Sequence, residues 1–482
     1  MRPESRQVDL TRGPLLKAPM ALAGPAILQS LLANFYGLND FFFVGRLGVG
    51  AMTAALSAGF ALSIINNALV KSVAIGATTM MAQQTGRRDR EAVRRTFVQA
   101  ILGAIAVGLV LAVVGWVLVD VLVATANVSE EVHRYARQYF LVLLLGNPFF
   151  AVLRVVEGTY RARGNATVPL GLEAVALATN TALTAILVLG LFGVPSFGVA
   201  GAAAATAASL VGPAVFGAWR VCGGDVGFRV SWADLRVPEP RRIAAMLRIG
   251  IFGAMSSVIY GVIFLLLNRL AGEIGPAAQG GLGVGLRGIE WAAFAISEGF
   301  FVACVTHVGQ NLGAGKARRA VRGTWALVGL SALIVQGVSM AFFLFPEQLA
   351  ALVAPDPDTV AYGARYLWIM SFGMWGVAIE MTLFGALVGA GRTGLAMALG
   401  LLANGLRIPF AAWILFGATG WAQGTLWAFT GLWEAPARVG GFDAIALAIC
   451  LSAVFKAGLF SLAMWRIDWA AEAERAGGSS PG

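Results

Sequence analysis

Charged side chains stand inside several stretches of this sequence that are otherwise apolar. They are Asp40, Lys71, Arg287, Glu290, Glu298 and Glu380. An ionised side chain at the centre of a bilayer costs about 2.5 to 3.5 kcal/mol even on the most lenient insertion scale, so each one needs a partner or a task. In lipid the usual task is to bind or relay an ion, or to meet a polar group of a solute.

Asp40 is the first candidate for such a task. It is predicted near the outer end of the first helix, beside Tyr36 and the aromatic run Phe41–Phe43. A carboxyl group in apolar surroundings takes up a proton near neutral pH and releases it when the site opens to water on the other side. A proton-coupled carrier requires this behaviour. The alternative is a carboxylate satisfied by helix-end amides or by water near the interface.

Lys71 is predicted within the second helix, roughly 18 Å from the nearest basic loop at 1.5 Å per residue. That depth makes it hard for the ammonium group to reach the interface. Three interpretations follow: Lys71 pairs with Asp40, it meets an anionic group of the substrate, or it lines a water-filled cavity without a specific role.

The second half offers further candidates. Arg287 and Glu290 are i, i+3 neighbours, so they either form a structural ion pair or contribute to a substrate cleft together with Glu298. Tyr36, Met255 and Tyr260 complete the candidate cleft, because aromatic and thioether side chains suit apolar ligands. Arg154, Glu157 and Glu173 are predicted nearer to helix ends, as interfacial or latch residues.

The composition requires elements that lie in lipid. The chain has 482 residues, of which 58% are hydrophobic and 12% charged, whereas a soluble domain carries about 25% charged residues. Runs such as 97–119 and 174–192 hold no charge and have the length that spans hydrocarbon. The net charge of +10 is distributed in small clusters between the apolar runs, which argues against a nucleic-acid-binding protein.

The patterns of an enzyme are absent from the sequence. His133 and His307 are its two histidines, and it has neither an HExxH pattern nor a phosphate-binding loop with lysine. Cys222, Cys304 and Cys450 are scattered without metal-ligand spacing. We therefore expect no catalytic site and no cofactor.

Apolar runs between charged or Gly/Pro breaks predict an all-α integral membrane protein with twelve transmembrane helices. The first six are predicted at 15–43, 51–82, 95–122, 132–160, 168–191 and 197–219, and the second six at 243–270, 277–311, 323–346, 359–388, 394–416 and 440–465. Basic residues fill the connections at 87–95 and 316–322 and flank the central one. The positive-inside rule puts these loops and both termini in the cytoplasm, with the chain in the plasma (inner) membrane.

The two halves of the chain match each other. Residues 79–86 align with 306–313, and 164–167 align with 391–394, and both matches have an offset of 227 in the numbering. Six helices per half give the halves one orientation, so the repeat axis runs along the membrane normal. The predicted division is a tail at 1–14, a lobe at 15–220, a linker at 221–242, a lobe at 243–466 and a tail at 467–482.

Several segments, in this order and spacing, are similar to the multidrug and toxic compound extrusion (MATE) family over about residues 15–465. They are Asn39–Gly48, Ala82–Gly86, Gly198–Thr206, Gly283–Glu290, Val308–Gly315 and Gly389–Thr393. Arg287 and Glu290, with no acidic residue at the position of Tyr260, resemble the DinF branch of the family rather than the NorM branch.

The resemblance implies two six-helix lobes, related by a pseudo-twofold axis along the membrane normal, around a cleft that opens alternately to each side. It also implies antiport, in which entry of protons or sodium ions drives export of amphipathic, often cationic, organic compounds. We expect small organic substrates, a lipid bilayer as surroundings, no nucleic acid and a monomer. A flippase or exporter of lipid-linked or anionic substrates is the alternative, which Lys71, Arg287 and Arg407 keep open.

The resemblance also assigns the coupling residues. It implies that Asp40 is the principal one and that Asn180 and Thr206 match the family's pattern, whereas Thr184 replaces an aspartate. With one carboxylate, a sodium site at Asp40, Asn180 and Thr206 is weakened, since hard cations need several oxygen ligands and charge compensation. Proton coupling is therefore favoured over sodium coupling.

Overall fold

A computed structural model describes residues 7–124, 129–413 and 441–478. These residues are helical almost throughout, and they include no β-strand. The helices of the first half are α1 (Lys17–Gly45), α2 (Gly50–Gly86), α3 (Arg90–Ala124), α4 (Glu130–Leu144), α5 (Asn147–Ala162), α6 (Thr167–Leu189) and α7 (Gly198–Cys222).

The second half begins with α8 (Pro240–Gly272). It continues with α9 (Pro276–Gly283), a π-helical turn (Val284–Ile289), α10 (Glu290–Gly313), α11 (Ala317–Leu344), α12 (Pro346–Ala351), α13 (Pro357–Met370), α14 (Met374–Gly389), α15 (Thr393–Gly405), α16 (Gly441–Arg466) and α17 (Trp469–Gly478). The predicted helix bounds at 416 and 440 lie outside the described residues.

The predicted number of membrane spans is confirmed. Within the described residues, nine helical segments are each long and apolar enough to cross a bilayer, and the number reaches eleven if each of two bent helix pairs is one span. Helix α2, at 37 residues, has the length for the twelfth. Outward-facing apolar residues on α3 form a surface suited to lipid, with Val113 62% and Val117 71% exposed.

Two predicted spans are broken rather than continuous. The predicted helix at 132–160 is the pair α4 and α5, bent by 50°, and the one at 359–388 is the pair α13 and α14, bent by 64°. Pro148 stands at the second residue of α5. Its ring cannot donate a backbone hydrogen bond and clashes with the preceding turn, so the helix stops before it.

The central linker is shorter than predicted and is held against the first lobe. Helix α7 extends to Cys222 and α8 starts at Pro240. Gln99 of α3 donates to the Val237 carbonyl at 2.8 Å, and Arg94 pairs with Asp234. The hydrogen bond from the Arg94 guanidinium lowers the pKa of Asp234 to about 2, so this ion pair persists at any physiological pH.

The repeat is visible in the helix boundaries. The first residues of α11, α13 and α14 lie at the offset of 227 from those of α3, α4 and α5. Left-handed backbone positions repeat at the same offset, at Gly48 with Gly275, Arg88 with Gly315 and Gly164 with Gly391. The second half therefore repeats the turns of the first as well as its helices.

Helices α1–α7 form the first lobe and α8–α16 the second, and the lobes meet mainly through four helices. Helix α1 packs on α10, and α2 packs on α8 and α10. In the repeat, α1 corresponds to α8 and α2 to α10, so these contacts are related by the pseudo-twofold axis. We call the membrane face with the basic connections at 87–89, 223–239 and 314–316 the basic face.

Candidate functional site

Asp40 lies near the end of α1 away from the basic face, and it is buried, with 4% of its surface exposed. The Tyr139 hydroxyl of α4 donates to Oδ2 at 3.2 Å, and the Thr206 hydroxyl of α7 faces the same carboxylate. Among the described residues, Oδ1 has no hydrogen-bond partner, and no charged side chain acts on the group. Asp40 is therefore a buried carboxylate with incomplete hydrogen bonding and no counter-ion in the described chain.

The predicted partners of Asp40 lie beside it. Asn180 of α6 donates through Nδ2 to the Thr206 hydroxyl at 3.0 Å, and its Oδ1 accepts from Asn39 Nδ2 at 2.9 Å. Thr184, one turn further along α6, is fully buried, and its hydroxyl has no partner among the described residues. The structure thus brings Asp40, Asn180 and Thr206 together, with Thr184 on the same side of α6 as Asn180.

Lys71 is far from Asp40, so the first of its three interpretations, a pair with Asp40, does not hold. Asp40 lies close to the end of α1, whereas Lys71 lies about six turns beyond the adjoining start of α2, which separates them by roughly 24 Å along the helices. The Lys71 side chain is exposed, and its ammonium lies 6.0 Å from the centre of the Phe150 ring. The charged groups that act on it are Arg154, Glu157, Glu173 and Glu298.

Three of those groups belong to a buried network in the first lobe, whereas the sequence predicted interfacial or latch residues. Arg154 Nη1 lies 2.8 Å from Glu157 Oε2 and 3.2 Å from Glu173 Oε2. Gln29 of α1 donates to Glu157 Oε1 at 3.0 Å, and Arg161 lies 3.6 Å from the same glutamate. Because both glutamates are essentially inaccessible to solvent, this network joins α1, α5 and α6 inside the lobe.

Glu290 of the second lobe is also buried, but two cations act on it. The Tyr366 hydroxyl donates to Glu290 Oε2 at 2.5 Å, and Arg407 and Lys456 act on the carboxylate electrostatically. Lys456 itself pairs with Glu380. Glu290 and Glu380 therefore have nearby positive charges, which Asp40 lacks among the described residues.

The predicted ion pair of Arg287 with Glu290 does not form, because the intervening backbone is not α-helical. Residues 284–289 form a π-helical turn, and a wider turn moves i and i+3 side chains apart around the axis. The Arg287 guanidinium instead lies 4.1 Å from the centre of the Phe264 ring.

The other predicted cleft residues are distributed over both lobes. Tyr36 is half-buried and lies near the charged network of α5 and α6. Met255 and Tyr260 are half-buried on α8, and Tyr260 lies 5.9 Å from the Arg407 guanidinium. Glu298 is half-buried on α10. Tyr36 and Lys71 lie near the same charged network, and Lys71 lies near Glu298, whereas Tyr260 lies near Glu290 and Arg407.

At the basic face the lobes are joined by a symmetric pair of hydrogen bonds. Gln83 of α2 donates to the Gly389 carbonyl of the second lobe at 3.0 Å. Gln310 of α10 donates to the Ala162 carbonyl of the first lobe at 2.8 Å. Both donor and acceptor repeat at the offset of 227, so the matching glutamines of the sequence connect the lobes.

Backbones of the two lobes also touch at this face. A Cβ atom at Gly86 would lie 2.0 Å from the Gln310 carbonyl oxygen, and one at Gly313 would lie 1.9 Å from the Gln83 carbonyl oxygen. Only glycine allows so close an approach. The lobes are therefore in direct contact at the basic face.

Residues 7–14, predicted as part of a tail, cross beneath both lobes at the basic face; we call them the N-terminal strap. The Val8 amide donates to the Gly164 carbonyl of the first lobe at 3.1 Å. The Leu10 amide donates to Gln310 Oε1 of the second lobe at 3.2 Å. Leu10 is fully buried, and Ala166 and Ala303 from opposite lobes belong to its apolar cluster. The strap therefore contributes to holding the lobes together.

Sequence reasoning missed the tyrosines that donate to the buried carboxylates. Tyr139 is 99 positions from Asp40, so no local pattern connects them. A signal did exist in the repeat, because Tyr139 and Tyr366 are separated by the same offset as the matching motifs. Polar residues retained at one offset on both halves mark equivalent positions of the two lobes.

Comparison with known proteins agrees with this architecture. The MatE family model matches residues 25–186 and 254–413, one stretch in each lobe. A probable multidrug resistance protein NorM from Thermotoga maritima is 28% identical over 78% of this chain and 80% of its own length. The multidrug resistance protein PmpM from Pseudomonas aeruginosa is 27% identical over 90% of each chain.

Solved structures give the same fold. An outward-facing MATE family transporter of the MOP superfamily superimposes with a TM-score of 0.82 at 20% identity, covering 96% of this chain and 98% of that one. Because the family model covers well over half of the residues in two matching stretches, this chain belongs to the MatE family of membrane transporters.

Proposed function

We propose that this protein is a proton-coupled antiporter that exports amphipathic organic compounds, with Asp40 as the residue that binds the coupling proton. The observation that carries the proposal is the state of Asp40. It is a buried carboxylate with one unpartnered oxygen and no charged neighbour among the described residues. A buried charge without a partner is costly, so binding and release of a proton changes the energy of this site strongly.

An antiporter also requires a binding site that opens alternately to the two sides of the membrane. The lobes are related by an axis along the membrane normal, and repeats of this kind rock around a site between them. The relatives from Thermotoga maritima and Pseudomonas aeruginosa are named multidrug resistance proteins, which supports organic compounds as the cargo. The basic face is the cytoplasmic one under this proposal, since the clustered arginines follow the positive-inside rule. Membership of the DinF branch stays a prediction.

The donor set at Asp40 favours a proton over sodium. A hard cation needs several oxygen ligands. The Asn180 oxygen already accepts from Asn39, and position 184 supplies a hydroxyl instead of a second carboxylate. A proton requires one carboxylate oxygen, and Asp40 Oδ1 is available for it.

Arg407 was one of the residues that supported the alternative, a flippase for lipid-linked or anionic substrates, and its surroundings do not fit that function. It requires a strongly cationic cavity, but Arg407 is buried, donates to the Ser452 hydroxyl at 2.5 Å and lies near Glu290. Arg407 therefore does not support this alternative, and Lys71 and Arg287 remain its arguments.

Transport in proteoliposomes tests the proposal. Efflux of a fluorescent organic cation is measured with an imposed proton gradient or an imposed sodium gradient, for wild type, Asp40→Asn and Asp120→Asn. Asp120 is the matched control, since it lies near the same membrane face as Asp40 but is 62% exposed in an ion pair with Arg137. We expect proton-driven transport in wild type and in the control, and its loss in Asp40→Asn. Undiminished transport by Asp40→Asn would contradict the coupling role.

A further inference from the structure

Two side chains of opposite charge occupy equivalent positions in the two lobes. Lys71 of α2 and Glu298 of α10 are related by the offset of 227, which is the offset of the repeat. Helices α2 and α10 correspond to each other and pack together across the pseudo-twofold axis. The axis therefore relates an ammonium group to a carboxylate.

Helix geometry makes the two residues face each other. Ala82 and Gly309 are in direct contact, because a Cβ atom at Gly309 would lie 2.7 Å from the Ala82 Cβ. Lys71 precedes Ala82 by about three helical turns, and Glu298 precedes Gly309 by the same interval. A nearly whole number of turns puts both residues on the helix faces that meet at the contact, roughly 16 Å above it.

At that level the two charges do not form an ion pair with each other. The Lys71 side chain is exposed and Glu298 is half-buried, and neither forms an ion pair with any of the described residues. They nevertheless act on each other electrostatically. Beside them, Ser72 and Gly299 are part of the contacts between the lobes. Lys71 and Glu298 therefore lie one on each side of the axis, next to the level at which the lobes touch.

We propose that Lys71 and Glu298 form a bipolar substrate site for amphoteric organic molecules, which carry a cationic nitrogen and a carboxylate on one apolar body. The inference rests on the proposed export function and names the substrate class of its cleft. The substrate carboxylate binds the Lys71 ammonium, and the cationic nitrogen binds the Glu298 carboxylate. Both charged groups of the ligand are neutralised as it leaves water, and the Phe150 ring beside Lys71 contributes an apolar surface.

Equilibrium binding to the purified protein tests this, with rhodamine B as a zwitterionic probe and its ethyl ester as a cation of nearly the same shape. A hydrogen bond to a charged group contributes about 1.5 to 3 kcal/mol, so loss of the Lys71 contact corresponds to a weakening of tenfold or more. We expect Lys71→Met to weaken the binding of rhodamine B by about that factor and to leave the binding of the ester nearly unchanged. Lys71→Arg should retain rhodamine B binding.

Two further variants complete the comparison. Glu298→Gln should weaken the binding of both probes to a similar extent, because both carry the cationic nitrogen. Lys17→Met removes an exposed lysine at the start of α1 and should change neither. Folding of each variant is checked by thermal melting.

Three outcomes overturn the inference. In the first, wild type binds rhodamine B no more tightly than the ester; in the second, Lys71→Met weakens the binding of both probes equally; in the third, that substitution leaves the binding of both unchanged. Equal weakening would point instead to a contact between the lobes that forms in another conformation. Binding requires no ion gradient, so these results are independent of the coupling role of Asp40, which the transport assay tests separately.

Discussion

At the basic face, a methyl group added to Gly86 would meet backbone atoms of the other lobe. The Cβ of Gly86→Ala would lie 2.0 Å from the Gln310 carbonyl oxygen, 2.7 Å from its carbon and 2.9 Å from the Cα. None of these atoms belongs to a side chain that can rotate away. To reach the ordinary contact distance of 3.4 Å, α2 and α10 must separate by about 1.4 Å, and such overpacking costs about 1 to 3 kcal/mol.

That cost falls on the conformation in which the lobes touch at the basic face. An energy of about 1 to 3 kcal/mol changes a conformational equilibrium by about 5- to 150-fold. We therefore expect Gly86→Ala to shift the population toward conformations open at the basic face. Because Gly313 has the equivalent contact with the Gln83 carbonyl, Gly313→Ala should have a similar effect.

Pulsed electron paramagnetic resonance measures the shift. Spin labels are placed at Arg90 and Arg318, which are exposed at the basic face on opposite lobes, in a background without other cysteines. Gly171→Ala is the control, because its Cβ would have no neighbour within 4 Å, and a helical alanine at an open position is stabilising. Distance distributions in Gly86→Ala and Gly313→Ala that match wild type and the control would refute the reasoning.

Three further predictions address the strap and the two carboxylate sites. Thr184→Asp should add the missing ligand beside Asp40, so sodium chloride should raise its melting temperature relative to choline chloride; an equal melting temperature in the two salts would count against it. Leu10→Ala should remove about 2 to 5 kcal/mol of packing energy and lengthen the same spin-label distances as Gly86→Ala; unchanged distances would mean that the strap does not hold the lobes. Tyr366→Phe should cost about 1 to 3 kcal/mol of stability, because Glu290 loses its donor, while proton-driven transport remains; loss of transport in a folded variant would assign coupling to the second lobe.

The scaffold was predictable because it depends on patterns that the sequence repeats. Apolar runs of membrane length predicted the spans, and one offset between two motifs predicted a duplication that the starts of α3 and α11 reproduce. The breaks were not predicted. The bend before Pro148 interrupts a run that remains apolar on both sides, so hydropathy alone does not detect it.

The candidate site was less predictable, because its contacts join distant parts of the chain. Asp40, Asn180 and Thr206 were grouped by resemblance, and the structure brings them together. Of the interpretations left open for Lys71 and Arg287, the two ion pairs do not form, for geometric reasons. Depth along two antiparallel helices separates Lys71 from Asp40, and a π-helical turn separates Arg287 from Glu290. The glycine-rich run at 280–288 was the one local sign of that irregular turn.

Equivalent positions in the two lobes explain why we assign coupling to the first. Tyr139 and Tyr366 correspond at the offset of 227, and each donates to a buried carboxylate. The offset also relates Asn180, which belongs to the Asp40 network, to Arg407 in the second lobe. An arginine near a carboxylate compensates its charge permanently, since arginine stays protonated in proteins. An asparagine supplies no charge, so the first lobe retains a carboxylate whose neutralisation depends on an ion from solution.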